Sequence, residues 1–128
     1  MANNGDYFSN DNGILLPVHF TIEEIECRCG CGMRVETDLI TSLEMLRLLT
    51  GEPLHITSGA RCPTYNKKIG GASKSRHLIG IAADMRTNSH SHEHAILRHA
   101  PALGFNGIGV AEGWLHLDRR QKTARWTY

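Results

Sequence analysis

Ser75-Arg-His-Leu-Ile-Gly-Ile-Ala-Ala-Asp84 and Trp114-Leu-His-Leu-Asp118 are the two most informative stretches of this chain. The first contains a glycine turn followed by Ile81-Ala-Ala-Asp-Met85, a run with the apolar character of a short buried strand. The second alternates polar and apolar side chains, which is typical of a half-buried strand. Together they supply two histidines and at least one aspartate from two separate short elements.

Two imidazoles and one carboxylate are the protein ligands of a typical catalytic zinc, which keeps one coordination position open for water. Strand alternation places His116 and Asp118 on one face of the second stretch. The loop before Gly80 allows the His77 imidazole to fold back toward Asp84. Spacing alone is equally compatible with a plainer interpretation, in which His77 is a loop histidine and Asp84 a strand-end aspartate.

The sequence around these stretches resembles a known family. Ile56-Thr-Ser-Gly-Ala-Arg-Cys-Pro63 and Gly70-Gly-Ala72 precede the first stretch, and Gly104-Phe-Asn-Gly-Ile-Gly109 precedes the second. In this order they resemble the zinc D-Ala-D-Ala carboxypeptidase family, whose peptidases share a fold with D-Ala-D-Ala dipeptidases and the hedgehog signalling domain. The resemblance runs from about Phe20 to Trp126 and concerns the family, not the bond that is cut.

Carried over residue by residue, the resemblance implies that His77, Asp84 and His116 are the zinc ligands. It also implies that Arg61 holds the carbonyl or carboxylate of a substrate, for which the planar guanidinium fork is suited. The alternative for Arg61 is a structural arginine that ties its loop to backbone carbonyls. Ser75 would support the loop that carries the first ligand.

The general base is less well defined by the sequence. Several relatives place a carboxylate three residues before the last histidine ligand, where this chain has Gly113. Glu112 lies one residue further back, and Asp118 shares a strand face with His116 at about 6–7 Å along the strand. We favour Asp118 slightly over Glu112, with an ion pair to a nearby arginine as the alternative role of Asp118.

The resemblance implies a zinc peptidase that cuts peptide stems or cross-links of bacterial peptidoglycan through a metal-activated water. The scissile bond stays open between D-Ala-D-Ala, L-Ala-D-Glu and a cross-bridge. One alternative is a free D-Ala-D-Ala dipeptidase. Another is a non-catalytic zinc-containing wall-binding module, which is supported by the missing carboxylate at Gly113. A cysteine hydrolase built on Cys62 is disfavoured, because no paired signature accompanies that residue.

Composition sets further bounds. The chain has 128 residues, 41% hydrophobic and 21% charged, which fits one globular domain. A net charge of +1 gives no electrostatic case for a nucleic-acid partner, and no apolar run is long enough to span a membrane. We expect a monomer. The first residues lack the basic and apolar regions of a signal peptide, so we expect synthesis in the cytoplasm and delivery to the cell wall as a phage protein or endolysin.

Four cysteines need a separate account. Cys27-Arg-Cys-Gly-Cys31 places three thiols within five residues, and Cys62 is distant in sequence. The three residues Cys27, Cys29 and Cys31 could bind a second, structural metal ion, with Cys62 or a histidine as fourth ligand. A disulfide from Cys62 to one of the three, or free and partly buried thiols, are the alternatives.

The expected fold is α+β: a small, mainly antiparallel sheet with flanking helices and a zinc cleft on the sheet. Residues 1–13 are predicted to form a loose arm, and residues 14–128 a single domain. Thr21 and Glu24 form a predicted capping box, with Phe20 stapled onto Ile25, and Thr37 is predicted to cap a second helix that ends near Gly51. Further predicted elements are a strand at Leu54–Ser58, a helix from about Ser91 to Pro101, and strands at Gly107–Val110 and Trp114–Asp118. The histidines of His90-Ser-His-Glu-His94 are interpreted as a solvated helix start and not as a metal site.

Overall fold

The computed structural model describes Phe8–Ser9, Leu15–Leu16 and residues 19–128. The larger of its two sheets has five strands: β3 (His55–Ser58), β4 (Ala82–Arg86), β5 (Gly107–Ala111), β6 (Trp114–Asp118) and β7 (Ala124–Thr127). Their order across the sheet is β3-β4-β6-β5-β7, and every pairing is antiparallel except that of β5 with β7. The predicted α+β class with a mainly antiparallel sheet is confirmed.

Four α-helices accompany this sheet in the described part of the chain: α1 (Ile22–Ile25), α2 (Thr37–Thr50), α3 (Pro63–Lys68) and α4 (His90–His99). Two short 3-10 helices span Arg76–Ile79 and Ala100–Leu103. Among the described helices none combines the length and apolarity that crossing a membrane requires.

The predicted helix ends can be compared with the observed ones. The capping box of α1 is confirmed, since Thr21 accepts a hydrogen bond from the backbone N–H of Glu24 and the Glu24 side chain accepts one from the backbone of Thr21. The predicted cap of α2 is wrong: Thr37 is the first helical residue, and Glu36 occupies the cap position without a side-chain hydrogen bond. Gly51 ends α2 with φ of 71°, a left-handed conformation that glycine adopts without strain.

Three predicted elements are shifted by a residue or two. The predicted strands Leu54–Ser58 and Ile81–Met85 are observed at His55–Ser58 and Ala82–Arg86. The helix predicted from Ser91 to Pro101 covers His90–His99, and the chain then continues as a 3-10 helix through Pro101. Proline is tolerated there because it lies in the first turn of that new helix.

The core lies on one face of the sheet. Strand alternation sends Ala83 and Met85 of β4, together with Leu115 and Leu117 of β6, into a cluster that also contains the apolar face of α2. Leu43 of α2 is fully buried there. Because successive side chains point to opposite faces, the intervening residues of β4 and β6 lie on the other face of the sheet, where the candidate site is found.

A second, two-stranded sheet pairs β1 (Phe8–Ser9) with β2 (Leu15–Leu16) antiparallel. The arm predicted for residues 1–13 lies outside the described residues except for Phe8–Ser9.

Candidate metal centre

The register of the sheet places two of the predicted ligands side by side. Asp84 of β4 is paired directly with His116 of β6. Cross-strand neighbours on one face have Cβ atoms about 4.5–5.5 Å apart, so the two side chains meet on the face opposite the core. Asp84 Oδ1 lies 3.0 Å from His116 Nδ1.

The third predicted ligand comes from the 3-10 helix that precedes β4. The Ser75 hydroxyl caps this helix by accepting a hydrogen bond from the backbone N–H of His77, and Gly80 ends it with φ of 75°. The chain therefore reverses just before β4, and the His77 imidazole returns to Asp84, with Nε2 3.2 Å from Oδ1. The role predicted for Ser75, support of the ligand loop, has this hydrogen bond as its physical basis.

The geometry of the three side chains fits a metal ion. Their ligand atoms all lie within 4.8 Å of one another, and each residue is buried. His77 Nδ1 is 2.6 Å from the backbone oxygen of Gly59, so the second ring nitrogen is held and Nε2 is directed at the shared point. Such an outer hydrogen bond fixes the ring orientation and tautomer of metal-binding histidines.

His116 is held from behind by a carboxylate. Its Nε2 lies 2.8 Å from Asp118 Oδ2, while its Nδ1 faces Asp84. Asp118 is 0% exposed and binds Arg120 through both oxygens, at 2.9 Å from Nε to Oδ1 and 2.7 Å from Nη2 to Oδ2. The ion pair considered as an alternative for Asp118 is therefore present. A side chain at Gly107, opposite Asp118 in the sheet, would collide with this carboxylate, which explains the glycine there.

Arg61 lies at the edge of the same cluster, in the segment between β3 and α3. Its Nη2 donates to Asp84 Oδ2 at 3.1 Å, its Nε to the Ser58 hydroxyl at 3.0 Å, and its Nη1 to Asn66 Oδ1 at 3.2 Å. The guanidinium is thereby fixed in one orientation beside the oxygen of Asp84 that does not face the histidines. The described contacts of the guanidinium are all to side chains, whereas the backbone N–H of Arg61 donates to the His77 carbonyl at 3.0 Å.

The electrostatics of the cluster are set by burial and by hydrogen bonds that oppose it. Burial alone would raise the pKa of Asp84, but hydrogen bonds and charge from His116 and His77 outweigh burial and hold that pKa well below its usual range. Burial likewise opposes ionisation of Asp118, whose pKa is nevertheless lowered, chiefly by Arg120 and then by His116. Burial lowers the pKa of His116, but the two aspartates raise it above 6.5. Both carboxyl groups are therefore ionised near neutral pH, which favours the binding of a cation.

A cleft of about 580 Å³ opens over the cluster. Its lining includes four cationic side chains, Arg61, Lys74, Arg76 and Arg120, and the rings of Trp114, Trp126 and Tyr128. Arg120 lies over the Trp126 ring, 4.8 Å from its centroid. Trp126 lies against His116, with ring centroids 5.2 Å apart.

Glu112, the other predicted general base, is exposed in the turn between β5 and β6 together with Gly113. It does not belong to the cluster of ligand atoms. In the histidine tract, His90 and His94 are exposed while His92 is buried, and the described residues do not bring these three together as a metal-binding group.

The fold also brings together the cysteines. The sulfur atoms of Cys27, Cys29, Cys31 and Cys62 all lie within 4.8 Å of one another, and none of the four is in a disulfide. A second group with metal-ligand chemistry therefore exists beside the histidine and aspartate cluster.

Comparison with known proteins agrees with the geometry. Residues 18–118 match the model of the peptidase M15 family. The chain belongs to this family. This peptidase M15 chain is also 36% identical, over 85 residues, to the zinc D-Ala-D-Ala carboxypeptidase of Streptomyces albus G. The aligned part covers 57% of the chain and 33% of that protein, so the chain spans a minor part of its relative. The resemblance read from the sequence is confirmed at the level of the family.

Several contacts of this M15 site have no clear sequence signal. The Gly59 carbonyl and the Asn66 amide act through single hydrogen bonds that depend on tertiary structure. Strand β7, which delivers Trp126, was not predicted. Gly109 was a usable signal, because a side chain there would collide with Trp126. A glycine inside a strand often marks the close approach of another group.

Proposed function

We propose that this chain is a zinc-dependent peptidase that hydrolyses peptide bonds of bacterial peptidoglycan. The observation that carries the proposal is the buried cluster of His77, Asp84 and His116 at the floor of an open cleft. Three protein ligands leave a coordination position for water, as in catalytic zinc sites, whereas structural sites are closed by four. Membership of the peptidase M15 family and the name of the Streptomyces relative support the same chemistry.

The residues of the cluster would hold the ion through His77 Nε2, Asp84 Oδ1 and His116 Nδ1. When bound, zinc supplies a water that ionises near neutral pH and a Lewis acid for the scissile carbonyl. The protein keeps the two histidine ligands oriented through the Gly59 carbonyl and the Asp118 carboxylate. Because these ligands are oriented before the substrate binds, they need no reorganisation during the reaction, which favours catalysis.

The cationic side chains of the cleft would bind the substrate. Arg61 is held by Ser58, Asn66 and Asp84, so its position is fixed before a ligand arrives. A guanidinium that faces a cleft suits a peptide carboxylate or the oxygen of the carbonyl under attack. Lys74, Arg76 and Arg120 line the same cleft and add positive charge. Peptidoglycan stems are peptides with free carboxylates, which matches this charge.

The two predicted carboxylates receive different roles. Asp118 lies behind the His116 ring, on the nitrogen that faces away from Asp84, and both of its oxygens are engaged. We therefore propose that Asp118 positions His116. Glu112 is exposed in the β5–β6 turn, and it becomes the candidate for accepting the proton of the attacking water and passing it to the leaving amine.

The test is hydrolysis of three substrates by the purified protein with zinc: intact peptidoglycan, a soluble stem pentapeptide and free D-Ala-D-Ala. Products are identified by mass spectrometry, which also locates the scissile bond. We expect cleavage of peptidoglycan or the stem peptide, and loss of cleavage in His77→Ala. His94→Ala, which removes an exposed histidine outside the cluster, is the matched control and should cleave like the wild type.

Cleavage of D-Ala-D-Ala alone would replace the proposal by a free dipeptidase. Zinc binding without cleavage of any of the three would replace it by a non-catalytic wall-binding module. The scissile bond, the monomeric state and the phage origin stay predictions from the sequence.

A further inference from the structure

Four thiols converge in a group separate from the histidine and aspartate cluster. Three come from the segment after α1, and the fourth, Cys62, comes from the start of α3. Cys27 Sγ is 3.4 Å from Cys29 Sγ, and Cys29 Sγ is 3.6 Å from Cys62 Sγ. All four sulfur atoms lie within 4.8 Å of one another.

The local backbone is shaped to produce this convergence. In an extended strand, residues i and i+2 are about 6.6 Å apart along the chain, so an alternating Cys-x-Cys-x-Cys segment would spread its thiols. Here Gly30 and Gly32 adopt positive φ, and the backbone N–H of Cys27 bonds to the Met33 carbonyl at 2.7 Å. The segment is thereby folded into a closed turn with its sulfurs on one side.

These separations match a tetrahedral metal site. With Zn–S bonds of about 2.3 Å, the sulfurs of a tetrathiolate site lie about 3.8 Å apart. The Cys27–Cys29 and Cys29–Cys62 sulfur distances, 3.4 and 3.6 Å, fall near this value. Cys29 and Cys31 are exposed, so burial of an apolar side chain does not explain why these two thiols are gathered with the others.

Backbone donors also point at the sulfurs. The N–H of Cys62 donates to Cys27 Sγ at 3.3 Å, and the N–H of Tyr65 donates to Cys62 Sγ at 3.4 Å. Hydrogen bonds of this kind favour the ionised sulfur, which is the form that binds metal. The bond from Cys62 to Cys27 joins the start of α3 to the Cys27–Cys31 turn, whereas the bond from Tyr65 lies within the start of α3.

We propose that Cys27, Cys29, Cys31 and Cys62 form a closed structural site for a thiophilic divalent metal, with zinc as the best match. Four protein ligands leave no position for water, so the ion has no part in hydrolysis. It fastens the turn after α1 to the start of α3.

This fastening bears on the cleft through Arg61. Arg61 immediately precedes Cys62, and its guanidinium is held by Asn66 of α3. Cys62 is also bonded to Asn66, whose backbone N–H donates to the Cys62 carbonyl at 2.9 Å. An ion bound at Cys62 therefore holds the backbone next to both partners of the Arg61–Asn66 contact. Loss of the ion should loosen Arg61 while the ligand atoms of His77, Asp84 and His116 keep their own support.

The test is metal content and cobalt spectroscopy of protein purified under reducing conditions. Zinc per chain should be two in the wild type, one in His116→Ala and one in the double variant Cys29→Ser/Cys31→Ser. With Co²⁺ in place of zinc, His116→Ala should keep the sulfur-to-cobalt charge-transfer absorption, and the cysteine variant should lose it. The spectrum of His116→Ala needs no cysteine variant to fold and no hydrolysis.

Absence of sulfur-to-cobalt absorption in His116→Ala would overturn the proposal. So would unchanged zinc content in the cysteine variant, or a wild-type mass that shows the four thiols paired as disulfides after purification under reducing conditions. The proposed peptidase activity is judged separately, because failure to cleave peptides leaves the cobalt spectrum of the thiolate site unaffected.

Discussion

Replacing Asp118 separates its positioning role from a role as general base. In the wild type, Asp118 Oδ2 accepts from His116 Nε2 at 2.8 Å and from Arg120 at 2.7 Å. An asparagine side chain at this position would keep one acceptor oxygen and replace the other with an NH₂ donor. Asp118 Oδ1 accepts from the backbone N–H and the Nε of Arg120. Because both oxygens accept from donors, the NH₂ group of Asp118→Asn faces a donor in either orientation and the contacts of that oxygen are lost. Asp118→Ala loses the contacts of both oxygens.

The magnitude follows from what the contact does for a metal ligand. Removing the hydrogen-bonded partner of a metal-binding histidine typically costs 10–100-fold in metal affinity. We expect about tenfold weaker zinc binding in Asp118→Asn and about 100-fold in Asp118→Ala, or about 1.4 and 2.7 kcal/mol. Zinc Kd is measured by competition with a chromophoric chelator in a background where Cys29→Ser/Cys31→Ser removes the second cluster.

Glu112→Gln is the matched control, because it neutralises an exposed carboxylate outside the cluster. Its zinc Kd should equal that of the parent, while kcat should fall by about 10²–10⁴-fold if Glu112 accepts the proton. The positioning role of Asp118 is refuted if Asp118→Asn has the parental zinc Kd but, when saturated with zinc, shows a kcat lowered by about 10²–10⁴-fold. Asp118 would then be the base.

Three further predictions concern the substrate, the charge state and the core. Arg61→Lys should keep zinc binding but lower kcat/KM at least about tenfold, because a lysine cannot make the three hydrogen bonds that the guanidinium donates to Ser58, Asn66 and Asp84. Steady-state kinetics and zinc analysis of the same samples check this, and loss of zinc would contradict it. In metal-free protein the pKa of His116, followed by NMR, should lie above its ordinary value of 6.5, and Asp118→Asn should lower it. The raised pKa stabilises the folded protein. This stabilisation is fully present below the unfolded-state pKa of about 6.5 and is lost as pH rises through the folded-state pKa. Leu43→Ala should cost about 2–5 kcal/mol of unfolding free energy in urea, whereas Leu48→Ala, at 61% exposed, should change it by less than about 0.5 kcal/mol.

The facing of side chains within each strand was accessible from the sequence because strand alternation is strict. The direct pairing of Asp84 with His116 is seen only in the structure. The family resemblance implied the three ligands, including His77, whose spacing alone was ambiguous. Its return to Asp84 depends on the 3-10 helix between Ser75 and Gly80, which a pattern of apolar residues does not reveal.

Other features depend on tertiary contacts and could not be read in this way. Strand β7 begins after a polar run, Gln121-Lys-Thr123, and pairs in parallel with β5, which local periodicity does not indicate. The cap of α2 was misplaced by one residue because Thr37 has the expected chemistry but lies inside the helix. Convergence of Cys62 with the Cys27–Cys31 turn requires the packing of α1 against β3, where the N–H of Ala60 bonds to the Ile25 carbonyl at 3.0 Å.

The most direct test of the central claim measures peptide release from peptidoglycan and zinc per chain in the same samples of wild type and His116→Ala. We predict that the zinc-loaded wild type releases peptides, that chelation abolishes this release, and that added zinc restores it. His116→Ala should release no peptides and should lack the zinc ion of the histidine and aspartate cluster. Undiminished release by the metal-stripped wild type, or by His116→Ala, would contradict a catalytic zinc held by His77, Asp84 and His116.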